Sequence, residues 1–411
     1  MHSVMPDYDV EKIRKDFPIL SEKVNGKPLV YFDNAASSQK PRVVIDAMVH
    51  MMETGYANVH RGLHHMANVA TEAFEAARET VRVFLNAKDT TEIVFTKSAT
   101  EAYNLVADTY GRLAINEGDE IIISILEHHS NIVPWHFLRE RKGAVIRWVP
   151  VDENGNFQLD AYEKLFSKRT KMVAVTHMSN VLGTVTPVKD IVRIAHEHGV
   201  PVLLDGAQAA VHETVDVQDL DADFYVMTGH KLYGPTGIGV LYAKKEWLEK
   251  LPPYQGGGEM IDTVSLENIT YNVPPYKFEA GTPMIVETVG LAAALSYITA
   301  VGRENIRTHE ADLLRYAEEK LRVREMLTLY GKPDTKGAII AFSLKGAHPS
   351  DVSSILDKEG VAVRAGTHCA IPLLEQFGVK ATCRASFALY NTKSEIDIMV
   401  DALQKAEKLF L

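Results

Sequence analysis

The sequence predicts an α/β fold: a mainly parallel, seven-stranded sheet in a large domain, followed by a smaller α+β domain. Three observations lead to this prediction. Seven short apolar runs are typical of buried strands, and helical stretches separate several of them. A cluster of proline and glycine at 252–283 then interrupts the alternation. Further strands and helices follow that cluster, which indicates a second domain.

The predicted strands of the large domain share an apolar character along their whole length. They lie at Ile93–Phe95, Ile121–Ile125, Val145–Val149, Met172–Thr176, Val202–Leu204, Phe224–Met227 and Ile238–Tyr242. Helical spacing of apolar residues is found at 41–55, 68–86, 100–116, 131–142, 158–167 and 187–198. Alternation of this kind predicts a parallel sheet with both faces covered, and ligands bind outside the carboxyl ends of such strands.

The remaining elements divide the chain into three parts. Residues 11–20 predict a short helix that stops at Pro18, within an N-terminal segment (1–20) expected to pack with the small domain. The large domain is predicted at 21–283 and the small domain at 284–411. Within the small domain, 286–325 is mostly helical, and strands are predicted at 338–344, 361–364 and 383–389.

Composition narrows the classes of function. The chain has 411 residues and a net charge of −10, which argues against nucleic acid or an anionic membrane as the main partner. Its two cysteines, Cys369 and Cys383, do not form a disulfide framework, and a reduced cytoplasmic setting fits them. We expect no signal peptide, no membrane span and no metal site.

A lysine and an acid follow two neighbouring strands. Asp205 ends the run Val202–Leu204, and Lys231 enters a loop rich in glycine and proline after Phe224–Met227. Together they suit pyridoxal phosphate, since the lysine forms a Schiff base and the acid keeps the pyridine nitrogen protonated. Taken singly, Lys231 fits a solvated loop lysine and Asp205 a helix cap, so their joint placement carries the prediction.

A helix start and a histidine pair lie at the same predicted edge. Ser98 and Glu101 have capping-box spacing after a strand, which makes an anion-binding helix terminus for the phosphate. Three further side chains are candidates to complete this site: Thr100, Thr228 and His230. His128, at the end of another strand, is a candidate to stack on the ring and carry protons, although an isolated histidine is more often structural.

The nucleophile and the substrate anchor are predicted near the C-terminus. Cys369 lies in a loop beside Arg364 and His368, whose positive charge favours a thiolate, whereas Cys383 lies in a predicted strand as a buried cysteine would. Arg384 has small neighbours that leave space for a substrate carboxylate, with a salt-bridging strand residue as an equal alternative.

Four motifs together resemble the SufS-type (group II) cysteine desulfurases. They are Thr228-Gly-His-Lys231, Asp205-Gly-Ala-Gln208, Glu127-His128-His-Ser-Asn and Arg364-Ala-Gly-Thr-His-Cys369, and the resemblance runs from Tyr31 to Ser386. It implies a homodimer with the fold-type I architecture of pyridoxal-phosphate transferases. It also implies conversion of L-cysteine to L-alanine, with sulfur carried as a Cys369 persulfide to an acceptor protein of the SufE or SufU type for iron–sulfur cluster assembly.

The resemblance also assigns roles to individual residues. It implies that Lys231, Cys369 and His128 are catalytic. The implied cofactor ligands are Lys231, Asp205, Gln208, His128, Thr100, the Ala99 backbone, Thr228, His230, Asn180 and, from the partner subunit, Thr282. The implied substrate ligands are Arg384, Arg364, Asn180 and Ala36, and the segment 58–62 is implied to cross the dimer interface. Two positions depart from the family pattern, Ala99 in place of threonine and Thr367 in place of histidine.

Other functions on the same fold stay open from the sequence. A selenocysteine lyase needs no Cys369, and L-selenocysteine is also a candidate substrate of a desulfurase. An aminotransferase would convert the cofactor to its amine form and release a keto acid. A non-catalytic scaffold protein would have lost the site, whereas Lys231, Asp205, His128, Cys369 and Arg384 are all present.

Overall fold

The large sheet occupies the centre of the protein, whose computed structural model describes residues 8–410. In spatial order its seven strands are Ile93–Thr96, Gly239–Ala243, Phe224–Thr228, Val202–Asp205, Thr170–Thr176, Glu120–Ser124 and Val145–Val149. Gly239–Ala243 runs antiparallel to both of its neighbours, and the other pairs are parallel. The predicted α/β class and the seven predicted strands are therefore confirmed.

Both faces of the large sheet are covered, as the unbroken apolar runs predict. Successive side chains of a strand point to opposite faces. Leu203 accordingly packs in one apolar cluster and Leu204 in another, on the other side of the sheet. The covering helices include His65–Leu85, Ala99–Ala114, Val133–Lys142, Leu159–Glu163, Val188–Glu197, Ala209–His212 and Lys245–Lys250, and Arg42–His50 precedes them in the chain.

A second, four-stranded sheet lies in the C-terminal part. Its strands, all antiparallel, are in spatial order Leu327–Tyr330, Ile339–Leu344, Thr382–Ser386 and Arg364–Gly366. The helices that pack against it are Arg303–Arg322, Pro349–Lys358 and Lys393–Phe410. Ile285–Val301 packs instead on Arg42–His50 and His65–Leu85, and Ile371–Gln376 buries Leu373 and Leu374 in the apolar cluster of the large sheet. The predicted strand at 361–364 is divided, because Val361–Ala362 pairs instead with Val30–Tyr31 near the N-terminus.

Some local expectations differ from the structure. The predicted helix 11–20 ends at Lys15, and Pro18 begins a separate 3-10 turn, Pro18–Ser21, because its fixed φ suits the first position of a helical turn. The sequence did not reveal the strand Leu327–Tyr330 or the hairpin Ile261–Val264/Ile269–Tyr271. The domain boundaries after 20 and 283 stay a prediction, and residues 1–7 lie outside the described residues.

Between residues 8 and 410, no single helix is long and apolar enough to cross a membrane. Only the pair Ile285–Val301 and Arg303–Arg322, bent by 76°, meets that criterion when taken together.

Candidate active site

The edge of the large sheet that the sequence predicts as the ligand site holds a cavity of about 280 Å³. Lys231 and Asp205 meet there because their strands are parallel neighbours, with Asp205 opposite Val226 in the register. The other predicted site residues that line the same cavity are Ala36, Ala99, Thr100, His128, Asn180, Gln208, Thr228, His230, Arg364, Cys369 and Arg384. Thr282 does not; it lines a neighbouring cleft with Glu101 and Gln255.

Asp205 is buried at the floor of the cavity. One carboxylate oxygen, Oδ1, accepts a hydrogen bond from the Ala207 amide at 2.9 Å. Burial raises the pKa of the Asp205 carboxyl, opposed by the nearby Tyr103 hydroxyl, the Ala207 amide and the Lys231 ammonium. A buried carboxylate that lines the cavity is suited to hold a protonated ring nitrogen.

The pKa of the Lys231 amine lies close to neutral pH. Lys231 follows the strand Phe224–Thr228 on a single 3-10 turn, Gly229–Lys231. Burial lowers its pKa from 10.5 to about 8, with the Asp205 carboxylate opposing this shift and the Arg384 charge adding to it. An amine of this kind combines with an aldehyde at neutral pH far more readily than a solvated lysine does.

The helix Ala99–Ala114 points its N-terminus at the cavity. Ser98 caps this helix by accepting a hydrogen bond from the Glu101 amide at 3.2 Å. The Glu101 carboxylate accepts from the Lys97 amide at 2.5 Å, and not from the Ser98 amide as a capping box would require. Gly239 of the adjacent strand allows this packing, because a Cβ there would lie 2.4 Å from the Ser98 carbonyl carbon. Free amides at a helix start suit a phosphate.

His128 and Gln208 lie on either side of the cavity with defined partners. His128 Nδ1 accepts a hydrogen bond from the Ser130 amide at 3.1 Å, so a neutral ring carries its proton on Nε2. Burial and the Lys231 charge lower the pKa of His128 to about 3. The ring is therefore neutral at pH 7, and its predicted proton-carrying role stays a prediction. Gln208 donates to the Ala35 carbonyl at 2.7 Å.

Cys369 lies in a tightly bent loop. Both His368 and Cys369 have left-handed backbone conformations, with φ of 52° and 55°. Asn180 donates to the His368 carbonyl at 2.7 Å, and the His129 amide donates to the Cys369 carbonyl, also at 2.7 Å. The Cys369 side chain is half-buried and free, as predicted.

His368 and Cys383 are more deeply buried than Cys369. Burial lowers the pKa of His368 to about 3, so His368 is neutral at pH 7, and the expectation that it supplies positive charge beside the thiol is wrong. Its Nε2 instead lies 2.8 Å from the Thr382 hydroxyl. Cys383 is fully buried, and burial raises its pKa to about 12, in agreement with an inert cysteine.

Arg384 is buried between the two sheets. Its Nη1 donates to the Asn180 carbonyl and its Nη2 to the Asp33 carboxylate, both at 3.0 Å, while its buried Nε has no partner within residues 8–410. The salt-bridge alternative from the sequence is thus realised, and the role of Arg384 as substrate anchor stays a prediction. Arg364 is more exposed and lies 3.9 Å from Asp33.

Three residues at the site escaped the sequence reasoning. Asp33 follows Phe32 near the N-terminus and meets Arg384 only because residues 30–31 join the C-terminal part. Tyr103 lines the cavity, and its buried hydroxyl has no hydrogen-bond partner in the described part of the chain. Helical spacing from Ala99 places Tyr103 one turn below the predicted phosphate site, a signal that was available. Ser130, in the His128 motif, bonds the Thr100 hydroxyl at 2.9 Å.

The residues present fit pyridoxal phosphate. The cavity offers a lysine with a pKa of about 8, a buried carboxylate and a helix N-terminus, the three partners for an aldehyde, a pyridine nitrogen and a phosphate. The unpaired hydroxyl of Tyr103 beside Asp205 adds a donor that a polar occupant would satisfy.

Known proteins resemble this chain over almost its full length. Residues 30–399 match the Aminotransferase class-V family. A cysteine desulfurase of Escherichia coli (strain K12 / DH10B) is 50% identical over 403 residues, which cover 98% of this chain and 99% of the relative. The structure of the cysteine desulfurase CsdA from Escherichia coli, in an S-sulfonic acid form, has a TM-score of 0.91 and 40% identity and covers 98% of this chain and 99% of that one. An apo cysteine desulfurase from Thermococcus onnurineus NA1 has a TM-score of 0.92 and 38% identity, with coverage of 100% and 99%.

Proposed function

We infer that this chain, which belongs to the aminotransferase class-V family, is a pyridoxal-phosphate-dependent cysteine desulfurase. The observation that carries this conclusion is that Lys231, Asp205 and Cys369 line one cavity. The lysine and the acid would serve any amino-acid chemistry of this cofactor, whereas the thiol adds a nucleophile that can accept sulfur. Cysteine desulfurases that are half identical over nearly the whole chain support this choice.

Pyridoxal phosphate, when bound, links to amino groups and draws electrons from the adjacent carbon of an amino acid. We assign the attachment to Lys231, the ring nitrogen to Asp205, the phenolic oxygen to Gln208 and the ring face to His128. The residues assigned to the phosphate are Thr100, the Ala99 amide, Thr228, His230 and the partner subunit's Thr282. Once the substrate amine has displaced it, Lys231 takes the Cα proton on Nζ, and its pKa of about 8 suits a base near neutral pH.

Arg384 holds the substrate carboxylate in this proposal. Its Nε is buried and unpaired within residues 8–410, and a carboxylate in the cavity would satisfy it. Asp33 keeps the guanidinium plane in place through Nη2. Arg364, Asn180 and Ala36 line the same part of the cavity and are assigned to substrate binding.

Cys369 accepts the sulfur. Its thiolate attacks the sulfur of L-cysteine, an S–S bond forms, and the Cβ–S bond breaks with its electron pair left on carbon. Protons return to the carbon skeleton and L-alanine leaves, so the sum is L-cysteine plus a thiolate giving L-alanine plus a persulfide anion. No outside oxidant is needed. Because His368 is neutral, the positive charge that lines the cavity with this thiolate comes from Arg364, Arg384 and the Lys231 ammonium.

A homodimer fits the exposed apolar surface. Val264, Leu266 and Ile269 of the hairpin are all more than half exposed, which is unusual for clustered apolar side chains. Leu63, beside the segment 58–62, is fully exposed. We propose that these surfaces meet a second copy of the chain and that Thr282 completes the partner subunit's phosphate site.

The proposal extends to the cellular role. A persulfide on a short loop is passed on by contact, and we propose an acceptor protein of the SufE or SufU type, iron–sulfur cluster assembly and a cytoplasmic location. L-Selenocysteine is proposed as a second substrate. Reaction of that substrate needs no thiol nucleophile, so dependence on Cys369 separates the two activities.

The test is to incubate the purified protein with L-cysteine, measure alanine and map the persulfide by mass spectrometry. Cys369→Ala should keep the cofactor absorbance and lose alanine formation from L-cysteine. Cys383→Ala is the matched control, because that thiol is buried in the core of the small sheet, where it donates to the Pro349 carbonyl at 3.3 Å, and it does not line the cavity. Full desulfurase activity in Cys369→Ala would refute the sulfur-transfer proposal. A keto acid as product, in place of alanine, would favour an aminotransferase.

A further inference from the structure

We propose that His129 is a positioning residue that holds the Cys369 loop against the cofactor cavity, an inference that rests on the proposed function. His129 follows His128, and its side chain lies on the side of the turn that faces residues 369–371. The loop of residues 367–371 is called the cysteine loop below.

Two hydrogen bonds join His129 to the cysteine loop. Its backbone amide donates to the Cys369 carbonyl at 2.7 Å. Its Nε2 accepts from the Ile371 amide at 3.2 Å. The two bonds lie on either side of Ala370, so they fix both the position and the direction of the backbone at the nucleophile.

The side-chain bond also completes a helix. Ile371 begins the helix Ile371–Gln376, and the N-cap residue, Ala370, has no side chain that can cap it. The first amides of a helix need an outside acceptor. His129 provides one from a distant part of the chain, which anchors the helix start immediately after the cysteine loop.

The cysteine loop depends on such anchors. Consecutive left-handed residues without glycine are uncommon, because the Cβ crowds the backbone in this conformation. His368 and Cys369 both adopt it. A loop of this kind relaxes to another conformation unless outside contacts hold it. The backbone carbonyls of its two left-handed residues accept from Asn180 and His129, and the His368 side chain bonds Thr382.

The same turn faces the cofactor side. The Ser130 amide donates a hydrogen bond to His128 Nδ1, and the Ser130 hydroxyl bonds the Thr100 hydroxyl. Residues 128 and 130 therefore contact the cavity, while residue 129 contacts the cysteine loop. The turn therefore sets the distance between the ring and the thiol. Small displacements of a nucleophile cost large factors in rate.

The test compares His129→Leu, which removes the acceptor, with His129→Gln, whose side-chain oxygen can take the place of Nε2. His136→Leu is the matched control, because the His136 ring contacts Trp148 at a centroid distance of 6.4 Å and has no bond to the cysteine loop. In the holoenzyme we expect His129→Leu to lower kcat for L-cysteine about tenfold to a hundredfold with KM little changed. His129→Gln should recover most of the lost kcat, and the kcat of His136→Leu should equal that of the unsubstituted protein.

Two further measurements separate positioning from general damage. The cofactor spectrum should be unchanged in His129→Leu, since His128 and Lys231 remain, while the rate at which iodoacetamide labels Cys369 should change. A kcat equal to that of the original protein in His129→Leu, or no recovery in a stably folded His129→Gln, would overturn the inference. If the original protein forms no persulfide on Cys369, the proposed function itself fails, which is a distinct result.

Discussion

Capture of pyridoxal phosphate by the apoprotein should rise with pH and level off above a midpoint near 8, because only the neutral Lys231 amine can attack the aldehyde. Burial lowers its pKa from 10.5 to about 8. At pH 7 about one amine in eleven is then neutral, against about one in three thousand for a solvated lysine, an advantage of about 300-fold in rate.

Two substitutions should move this midpoint in opposite directions. The Asp205 carboxylate stabilises the ammonium and the Arg384 guanidinium destabilises it. Asp205→Asn should therefore lower the midpoint, and Arg384→Gln should raise it, each without removing the amine. Both effects come from buried charges, which salt screens little, so they should persist at high salt.

The assay is the rate of absorbance change when pyridoxal phosphate is added to apoprotein, recorded from pH 6 to pH 10. Borohydride reduction followed by peptide mapping checks that the label is on Lys231. A midpoint near 10 in the original protein would refute the reasoning, as would shifts of the same sign in the two variants.

Three other perturbations have defined outcomes. Arg384→Lys keeps a positive charge but loses the planar fork of the guanidinium. KM for L-cysteine should therefore rise about tenfold or more in steady-state kinetics, with a smaller change in kcat. An unchanged KM would place the substrate carboxylate elsewhere. Tyr103→Phe removes the hydroxyl beside Asp205 and should weaken cofactor binding several-fold in a fluorescence titration while the melting temperature stays the same. His212→Leu breaks the buried 2.6 Å pair with Glu310 and should cost about 3–5 kcal/mol in urea unfolding, with much of it recovered in His212→Leu/Glu310→Leu. Burial opposes the charged His212 ring, but Glu310 outweighs burial and raises the pKa of His212. The stability from this pair should therefore be fully present below the pKa of His212 in the unfolded chain, and it should fall as pH rises through the raised pKa of the folded protein.

The elements of the large sheet were predictable because their physical signal is local. A strand buried on both faces needs an unbroken apolar run, and Val202–Asp205 or Phe224–Thr228 can be recognised without knowing their neighbours. The hairpin at 261–271 gave no such signal, since its side chains are mostly exposed. The strand Leu327–Tyr330 lies at the edge of the small sheet and is only partly buried, which leaves a weak pattern.

The sequence by itself determined the strands of the large sheet and the meeting of Lys231 with Asp205 at one edge of it, because parallel strands bring their carboxyl ends together. Only the tertiary structure decided the protonation of the site. His368 and His128 are neutral and the pKa of Lys231 is lowered to about 8 because burial penalises charge, and burial depends on every element that packs around a residue. Contacts such as Arg384 with Asp33 and His129 with Ile371 join residues hundreds of positions apart, and no local pattern in the sequence encodes them.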